Sequence, residues 1–490
     1  MFADFIPSAQ DMMRLLPEAV LVAAGTIGLM LEPLLGDSRK RAVGIVSLAG
    51  LIVALWAVAV SNAYTGTAFR DMIVVDGFTT FFRTLVIAVG ILTVILSLHY
   101  IQRERPESGE FYPLLVFSVA GQCLMAAGNE LIVIFIGLEI SSIASYILAG
   151  YLRDDPRSNE SGLKYFLLGS FATAFFLYGV AWIYGATGTT NLREIGDIIA
   201  KPEIQPPLVI VGASAALMLV GLAFKVAAAP FQIWAADVYQ GAPAPVTAFL
   251  AAGPKAAAFA VMVRILMVAF DPAGAAWEPV LWIIALATMT IGNFAALVQD
   301  NIKRLLAYSS IAHAGYVLVA VTAHSDAGSA AVMFYLAAYA FMNVGAFAVV
   351  THVARAGERR LSLSDFAGLA RREPVVAGLF TIFLLSLIGI PLTGGFFGKF
   401  YIFKAALESR LYLLTVLGLL NSAVAAYYYL RVLVAMYFHE PAAEAAEAEP
   451  VTPGVSFVLW FSAGATLLLG IFPTLVLRFA DQGAALALVR

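Results

Sequence analysis

Long apolar runs recur along the whole chain and constrain its fold more than any other feature. Examples are LVIAVGILTVILSL at residues 85–98 and GATLLLGIF at residues 464–472. Hydrophobic residues make up 61% of the 490 positions and charged residues only 12%, whereas a soluble chain is about half apolar and about a quarter charged. Because only helices or closed barrels can span a bilayer, and a helix needs about 20 apolar residues, these runs predict an all-α polytopic membrane protein.

We predict about fourteen transmembrane helices and no separate soluble domain. The predicted spans lie near residues 14–35, 42–62, 78–100, 111–128, 130–152, 161–185, 207–229, 243–269, 277–299, 302–323, 328–353, 374–406, 411–438 and 455–478. Helices 7 and 12 are predicted to be discontinuous, since Pro230 follows the first and GIPLTGGFFGK (389–399) interrupts the second. Irregular backbone at membrane depth is tolerated only inside protein or beside water.

The basic residues predict how the chain crosses the membrane. The loops after odd-numbered spans carry fourteen arginines and lysines, against four after even-numbered spans. The positive-inside rule then places the odd loops in the cytoplasm and both termini on the outer side. The acidic start MFADFIPSAQDMMR lacks the basic region of a signal peptide, so we expect its helix to be retained. The segment HEPAAEAAEAEP (439–450) reads as a solvated linker.

The residue types present exclude several kinds of chemistry. Cys123 is the only cysteine, so an internal disulfide and a Cys-rich zinc or iron–sulfur site are impossible. The five histidines are scattered, and no phosphate loop or nucleophile elbow is present. The net charge of −3 argues against nucleic acid as a partner. We therefore expect no cofactor or metal on this chain, and chemistry carried by isolated ionisable groups.

A few ionisable residues lie inside the predicted spans, where each costs about 2.5–3.5 kcal/mol on insertion scales. They are Glu139, Lys164, Lys225, Lys255, His313 and Lys399. Burial disfavours a charged lysine and a nearby carboxylate favours it, while histidine titrates near neutral pH. Such a set predicts a proton path. The structural alternative is a snorkelling side chain or a single interhelical ion pair, which applies best to Arg264 and Arg431 near helix ends. An ion pair also fits Lys164, which lies four residues after Glu160. For His313 the alternative is a histidine packed in the core without a role in proton transfer.

Helix breakers accompany three of these lysines. Pro230 lies five residues after Lys225, Pro254 directly precedes Lys255, and PLTGG (391–395) comes just before Lys399. One lysine-bearing broken helix in each half is typical of a repeated transporter with its sites near the bilayer midplane. Sequence similarity between the halves is weak, so the matched positions of breaker and lysine carry this prediction.

Three segments also resemble a known family. FKVAAAPFQIWAADVYQGAPAPVTAFLAAGPK (224–255), YSSIAHAGYVLVA (308–320) and SLIGIPLTGGFFGKFYIF (386–403) resemble the N subunit of proton-translocating NADH:quinone oxidoreductase, respiratory complex I. The resemblance covers essentially the whole chain. DVYQGAPAPVTAFL (237–250) is its most specific part and favours the N subunit over the L and M antiporter-like subunits and the Mrp-type antiporters.

The resemblance implies one membrane domain, 1–490, built on two inverted five-helix repeats. Helices 4–8 form the first repeat (111–270) and helices 9–13 the second (277–440). Three helices precede them (1–110), and the acidic linker and last helix follow (441–490). It also implies a bacterial cytoplasmic (inner) membrane, with both termini periplasmic. The implied partners are neighbouring M-type and small K-type subunits and the lipid bilayer.

The resemblance further implies residue roles. Glu139, Lys164, Lys225, Lys255 and Lys399 match the family's glutamate of helix 5 and lysines of helices 6, 7, 8 and 12, while His313 falls in the helix 10 motif. Protons would reach Lys225 from the cytoplasm with Glu139 paired to it, pass through Lys255 and His313, and leave outward at Lys399. Family members usually have histidine where Gln232 stands, and usually proline or another residue at Ala236, which puts a relay role for position 232 in doubt.

The implied activity is that of a translocase subunit without a redox site of its own. NADH, FMN, iron–sulfur clusters and quinone would be handled by partner subunits. Two alternatives remain open from the sequence: an Mrp-like cation/proton antiporter without redox coupling, and a membrane subunit of a hydrogenase-type complex.

Overall fold

The computed structural model describes residues 7–36, 39–105, 107–201, 206–440 and 450–487, and these are mostly α-helical. Most of the acidic segment 439–450 lies outside the described residues. Among those described, twelve helices are long and apolar enough to cross a membrane, and two shorter apolar helices span Phe111–Ala127 and Pro374–Ile388. The chain is therefore a membrane protein, as its composition predicts.

The helix bounds agree with most predicted spans to within a few residues. In chain order the helices are α1 Ala9–Arg14, α2 Leu16–Leu31, α3 Arg41–Ser61, α4 Gly77–Glu104, α5 Phe111–Ala127, α6 Leu131–Ala149, α7 Pro156–Thr187, α8 Leu192–Ala200, α9 Leu208–Val226, α10 Ala235–Gly241, α11 Ala244–Arg264, α12 Gly274–Leu297, α13 Ile302–Thr322, α14 Asp326–Ala354, α15 Leu369–Arg372, α16 Pro374–Ile388, α17 Gly394–Glu408, α18 Tyr412–Phe438, α19 Pro453–Ile471 and α20 Thr474–Ala487.

Short polar side chains fix where several of these helices begin. The Asp76 carboxylate accepts the backbone N–H of Thr79 at the start of α4. Asn301 and Ser325 cap α13 and α14 in the same way. Each cap satisfies a backbone donor that a helix start leaves unpaired.

Both predicted helix breaks are present. The first separates α9 from α10, and Ala227 at the end of α9 adopts a left-handed conformation with φ of 59°. The second separates α16 from α17, where Gly389 has φ of 96°. At Gly395 an added Cβ would lie 1.9 Å from the backbone oxygen of Ser386. Glycine at position 395 therefore lets the two halves of the second broken helix pack closely.

Three helices form the centre of the molecule. α11, α13 and α14 are almost completely enclosed by other helices. α11 packs against α4, α5 and α14, and α13 packs against α12. Outer helices such as α3 and α7 instead expose large apolar side chains, for example Trp56 and Phe171, which suits lipid or partner helices. Lys255 of α11 and His313 of α13 are accordingly buried.

Some small elements were not predicted. β1 (Gly66–Ala68) and β2 (Ile73–Val75) form an antiparallel hairpin between α3 and α4. α8 buries Leu192, Ile195 and Ile199 and leaves its polar side outward. The predicted last span ran to residue 478, but α19 ends at Ile471 and α20 follows, packing against α4 and α14. These elements are too short to give an apolar run of membrane length.

Candidate functional site

Lys225 occupies a closed pocket at the end of α9. Its side chain lies in the last turn before the helix break and is only 5% exposed. The Nζ atom donates to Ser142 Oγ of α6 at 2.8 Å and to the Tyr165 hydroxyl of α7 at 3.4 Å. The Tyr146 and Tyr165 ring centroids lie 5.8 and 5.5 Å from it. Hydroxyl groups and aromatic faces thus surround this ammonium group.

Glu139 lies one helical turn before Ser142 on α6. Its Oε1 atom is buried and has no hydrogen-bond partner among the described residues. The carboxylate interacts electrostatically with Lys225, yet the Lys225 donor bonds go to hydroxyls. The pairing expected from the sequence is therefore a near-neighbour relation around Ser142. It is not a direct ion pair in this structure.

Lys255 is held at the centre of the molecule by α13. It is 2% exposed, and its Nζ atom donates to the backbone oxygen of Ser310 at 2.8 Å and to Ser310 Oγ at 2.5 Å. The Tyr339 ring centroid lies 6.0 Å away. Among the described residues, Lys255 has no carboxylate in ion-pair contact.

His313 lies one turn beyond Ser310 on α13 and is 1% exposed. Its Nδ1 is 2.5 Å from the Tyr335 hydroxyl and its Nε2 is 3.1 Å from the Tyr429 hydroxyl. Tyr429 also bonds Ser309. In a neutral imidazole one ring nitrogen donates and the other accepts. His313 therefore links the hydroxyls of Tyr335 and Tyr429. It also lies on the same helix as Ser310, the hydrogen-bond partner of Lys255.

Lys399 is bound across the second helix break. Its Nζ donates to the carbonyls of Leu387 and Ile388 at 3.1 and 2.8 Å and to Ser422 Oγ at 2.8 Å. Those carbonyls end α16, where unpaired oxygens and the helix dipole favour a cation. The Tyr316 ring centroid is 4.8 Å away.

A groove of about 600 Å³ opens beside Lys399, between α17 and α18. Lys399 and Ser422 contribute its polar groups at the inner end, and Lys404 and Glu408 line it near the end of α17. Lys404 and Glu408 are both more than half exposed. The groove therefore connects a buried lysine with the surface of the chain.

Lys164 is placed apart from these groups. Its ammonium lies 2.6 Å from Glu160 and 2.6 Å from Asp237, and its side chain is 40% exposed. Asp237 also pairs with Arg304 at 2.7 Å. The ion pair with Glu160 is the structural alternative that the sequence left open. The structure extends it to a network that ties α7, α10 and α13 together.

Aromatic rings separate the Lys225 pocket from Lys255. Tyr165 stacks on Trp234 with centroids 4.4 Å apart, and Trp234 meets Tyr239 at 6.1 Å. The buried Tyr239 hydroxyl faces Ser310 but has no hydrogen-bond partner among the described residues. Gln232 Oε1, in the first helix break, is also buried without a hydrogen-bond partner among the described residues. Among the described residues, no continuous series of hydrogen bonds therefore joins Lys225 to Lys255.

Sequence reasoning missed three buried ion pairs. Lys303 and Glu358 pair at 2.7 Å. Glu358 lies in a predicted loop, and Lys303 lies at the very start of the predicted span 302–323. Arg83 and Glu18 pair at 2.8 Å. Glu18 lies within the predicted span 14–35 and Arg83 within 78–100, and a charge inside an apolar run is the sequence signal for such a pair.

The third missed pair joins Arg264, at the end of α11, to Asp76 at 3.2 Å. The structural interpretation of Arg264 is the right one, although the sequence did not identify Asp76 as its partner. Arg431, near the end of α18, donates hydrogen bonds to the backbone oxygens of Leu297 and Gln299. Within the described part of the chain, no group of three or more His, Cys, Asp or Glu residues could hold a metal ion.

Residues 128–425 match the family described as NADH:quinone oxidoreductase/Mrp antiporter, TM. Over 476 residues the chain is 61% identical to NADH-quinone oxidoreductase subunit N 1 of Solibacter usitatus (strain Ellin6076), covering 97% of this chain and 98% of that protein. This chain belongs to the N-subunit family of NADH-quinone oxidoreductases.

The fold of the N-subunit family is also found in solved structures. A chain of respiratory complex I from Thermus thermophilus with bound aureothin aligns with a TM-score of 0.81 and 34% identity, covering 95% of this chain and 100% of that one. A chain of the Mrp complex from Dietzia sp. DQ12-45-1b aligns with a TM-score of 0.84 and 21% identity, covering 98% of both. The second likeness concerns the fold alone, so the sequence match distinguishes the N-subunit family from the antiporters.

Proposed function

We propose that this chain is the proton-translocating N-type membrane subunit of a NADH:quinone oxidoreductase. Partner subunits carrying FMN and iron–sulfur clusters would transfer electrons from NADH to quinone, and this chain would move protons in response. The observation that carries the proposal is the buried series Lys255–Ser310–His313, flanked by a lysine at each helix break. Each ionisable member can accept and release one proton.

The central part of the path has a short connection. Lys255 donates to Ser310, and His313 lies one turn further along the same face of α13. Tyr316 follows one more turn along. Its ring meets the His313 ring edge-on at a centroid distance of 5.6 Å and also faces the Lys399 ammonium. A proton moving along this side of α13 would pass from Lys255 to the neighbourhood of Lys399.

The two ends of the path would differ in role. Lys225 would receive the proton from the cytoplasmic side, with Glu139 beside it, whose buried Oε1 atom has no hydrogen-bond partner among the described residues. Lys399 would release the proton outward through the groove between α17 and α18. Lys164, in its ion-pair network, would position α10 and so act on the path indirectly.

The proposal includes the membrane arrangement predicted from the sequence. Fourteen spans would include inverted repeats at 111–270 and 277–440, with 1–110 before them and 441–490 after. The two lysine-bearing breaks, one in each proposed repeat, support this division. The chain would lie in a bacterial inner membrane with both termini periplasmic, beside M-type and K-type subunits and lipid.

The test uses the assembled complex in sealed vesicles. The protein should copurify with NADH dehydrogenase activity, which separates this role from that of a stand-alone Mrp-like antiporter. Lys225→Ala and Glu139→Ala should each lower the number of protons moved per NADH, since removing a positioned proton-transfer group costs about 10²-fold or more in rate. Full proton stoichiometry in both variants, with the complex assembled, would show that the path does not run through this chain as proposed.

A further inference from the structure

A second cavity shares no lining residue with the Lys399 groove. It has a volume of about 380 Å³ and lies where α4, α14 and the start of α19 meet. His99, Arg103 and His352 line it together with Tyr100. His99 is exposed, whereas Tyr100 is 2% exposed and ends the cavity on its inner side. The proposed topology places this end of α4 in the cytoplasm.

Tyr100 links the cavity to a buried carboxylate. Its hydroxyl donates to Glu358 Oε1 at 2.7 Å. The same oxygen accepts the backbone N–H of Ala244 at 2.6 Å, and Glu358 Oε2 accepts from Lys303 Nζ at 2.7 Å. Lys303 is fully buried and also donates to the carbonyl of Ala242 at 2.5 Å. An ion pair of this kind, enclosed on all sides, needs every one of these bonds to offset its desolvation.

The backbone around Glu358 is shaped to turn its carboxylate inward. Arg355, Gly357 and Glu358 have φ values of 57°, 67° and 46°, in the left-handed region that side chains other than glycine seldom adopt. Two of these three positions are not glycine. Such conformations persist only where surrounding contacts hold them, and they are concentrated at functional sites.

Lys303 lies near the start of α13, the helix that also carries Ser310. It lies seven residues, or two helical turns, before Ser310, so both occupy one face of the helix about 10 Å apart. Ser310 accepts from Lys255. The buried Tyr239 hydroxyl faces Ser310 from α10. The ion pair thus stands between the cavity and the central lysine.

We propose that Tyr100, Glu358 and Lys303 form a proton-uptake route from this cavity to Lys255, which would feed the path at its centre as well as at Lys225. The inference rests on the proposed function and adds a route to it. A proton reaching the Tyr100 oxygen from the cavity releases the hydroxyl proton to Glu358. The neutral acid no longer holds the ammonium, and Lys303 passes a proton towards Ser310 and Lys255. Glu358 then returns its proton to the neutral amine and restores the ion pair.

The competing explanation is a purely structural clasp. Glu358 caps the start of α11, and Lys303 binds the last carbonyl beyond α10, so the pair also ties the first helix break to α13. A clasp needs hydrogen bonds but no titrating group. The two explanations therefore predict different results when a titrating group is removed and the complex still assembles.

The experiment compares Tyr100→Phe and Glu358→Gln with Glu104→Gln in the complex assembled in sealed vesicles. Phenylalanine keeps the ring and removes the hydroxyl, and glutamine keeps an acceptor for Ala244. Glu104 is the matched control, because it holds the same loop through the Gly357 N–H at 3.0 Å and touches neither Tyr100's hydroxyl nor Lys303. The readouts are the amount of assembled complex and the protons moved per NADH.

We expect Tyr100→Phe and Glu358→Gln to slow proton delivery through the cavity by about 10²-fold, a typical cost of losing one proton-transfer group. Protons moved per NADH should fall in both variants, stay normal in Glu104→Gln and recover partly in Glu358→Asp. Normal stoichiometry in Tyr100→Phe would overturn the route, as would equal loss in Glu104→Gln. If Glu358→Gln fails to assemble, Tyr100→Phe and Glu358→Asp decide.

Lys225→Ala separates this inference from the proposed function. If Lys225→Ala lowers proton stoichiometry while Tyr100→Phe leaves it normal, the function stands and the cavity route is wrong. If neither single variant changes the stoichiometry, Lys225→Ala combined with Tyr100→Phe decides, because a normal stoichiometry in that double variant means that the proposed function itself fails.

Discussion

The two helix breaks hold their lysines in contrasting ways. At the first break, Lys225 precedes the interruption and sits in a closed pocket of hydroxyls and aromatic rings, with Glu139 nearby. At the second, Lys399 follows the interruption, binds backbone carbonyls and borders a groove that reaches the surface. The chain thus places the same ionisable group in two surroundings.

The difference suggests a division of labour. A carboxylate that is not locked to a partner can favour or disfavour the charge on Lys225 as it moves, so the first site can respond to events elsewhere. Carbonyl dipoles at a helix end are fixed, so the second site holds a steady affinity for a cation. A responsive site that takes up protons and a fixed site beside an outward groove would together give direction to the path.

The largest expected effect concerns the identity of the group at the second break. Lys399→Ala removes the ionisable group, and we expect proton pumping by the assembled complex to fall strongly. Lys399→Glu should be tolerated better, because it keeps an ionisable group whose protonated form can still donate one hydrogen bond, to the carbonyl of Leu387 or of Ile388. Protons moved per NADH in vesicles measure both, and equal loss in the two variants would count against a relay role for Lys399.

Access from water provides the next contrast. Cys123 is buried and is the only native cysteine, so the labelling of an engineered cysteine can be measured without a contribution from Cys123. Ser422→Cys, at the groove, should react with a water-soluble thiol reagent, whereas Ser142→Cys, fully enclosed beside Lys225, should not. Labelling followed by mass spectrometry measures both. Equal reactivity would remove the distinction between a closed and an open site.

Backbone packing distinguishes the second break as well. Gly395→Ala places a methyl group against the Ser386 carbonyl, where an added Cβ would be 1.9 Å away. We expect a loss of about 1–3 kcal/mol in stability, as for other overpacked sites, seen as lower melting temperature or poorer assembly. Gly378→Ala is the control, because nothing lies within 4 Å of an added Cβ. If both variants behave alike, the close approach at the break is not needed.

The smallest effect separates the two serines that bind the lysines. Each hydrogen bond to a charged group is worth about 1.5–3 kcal/mol. Ser142→Ala leaves Lys225 with only the 3.4 Å contact to Tyr165, whereas Ser422→Ala leaves Lys399 with two carbonyls. Coupled turnover should therefore fall more in Ser142→Ala. The reverse order would mean that the carbonyls are not the main partners of Lys399.

Much of this arrangement can be predicted from the sequence, for a physical reason. Charges and prolines inside apolar runs are costly, so Lys225, Lys399 and both breaks stand out without any structure. The serines that bind Lys225, Lys255 and Lys399 do not stand out, because Ser142, Ser310 and Ser422 are uncharged and cost little in a membrane helix. Glu358 could not be recognised either, since it lies in a charged loop and its importance comes from contacts with distant helices.

A double variant tests most directly whether the two breaks belong to one proton path. Proton flux per NADH is measured in vesicles for Lys225→Ala, Lys399→Ala and the two combined. Groups that act in series are strongly non-additive, because the loss of Lys399 at the proposed exit already stops the protons that enter at Lys225. We predict that the double variant loses no more than the more severe single variant. Losses that add would mean that Lys225 and Lys399 serve separate paths, which would contradict this account.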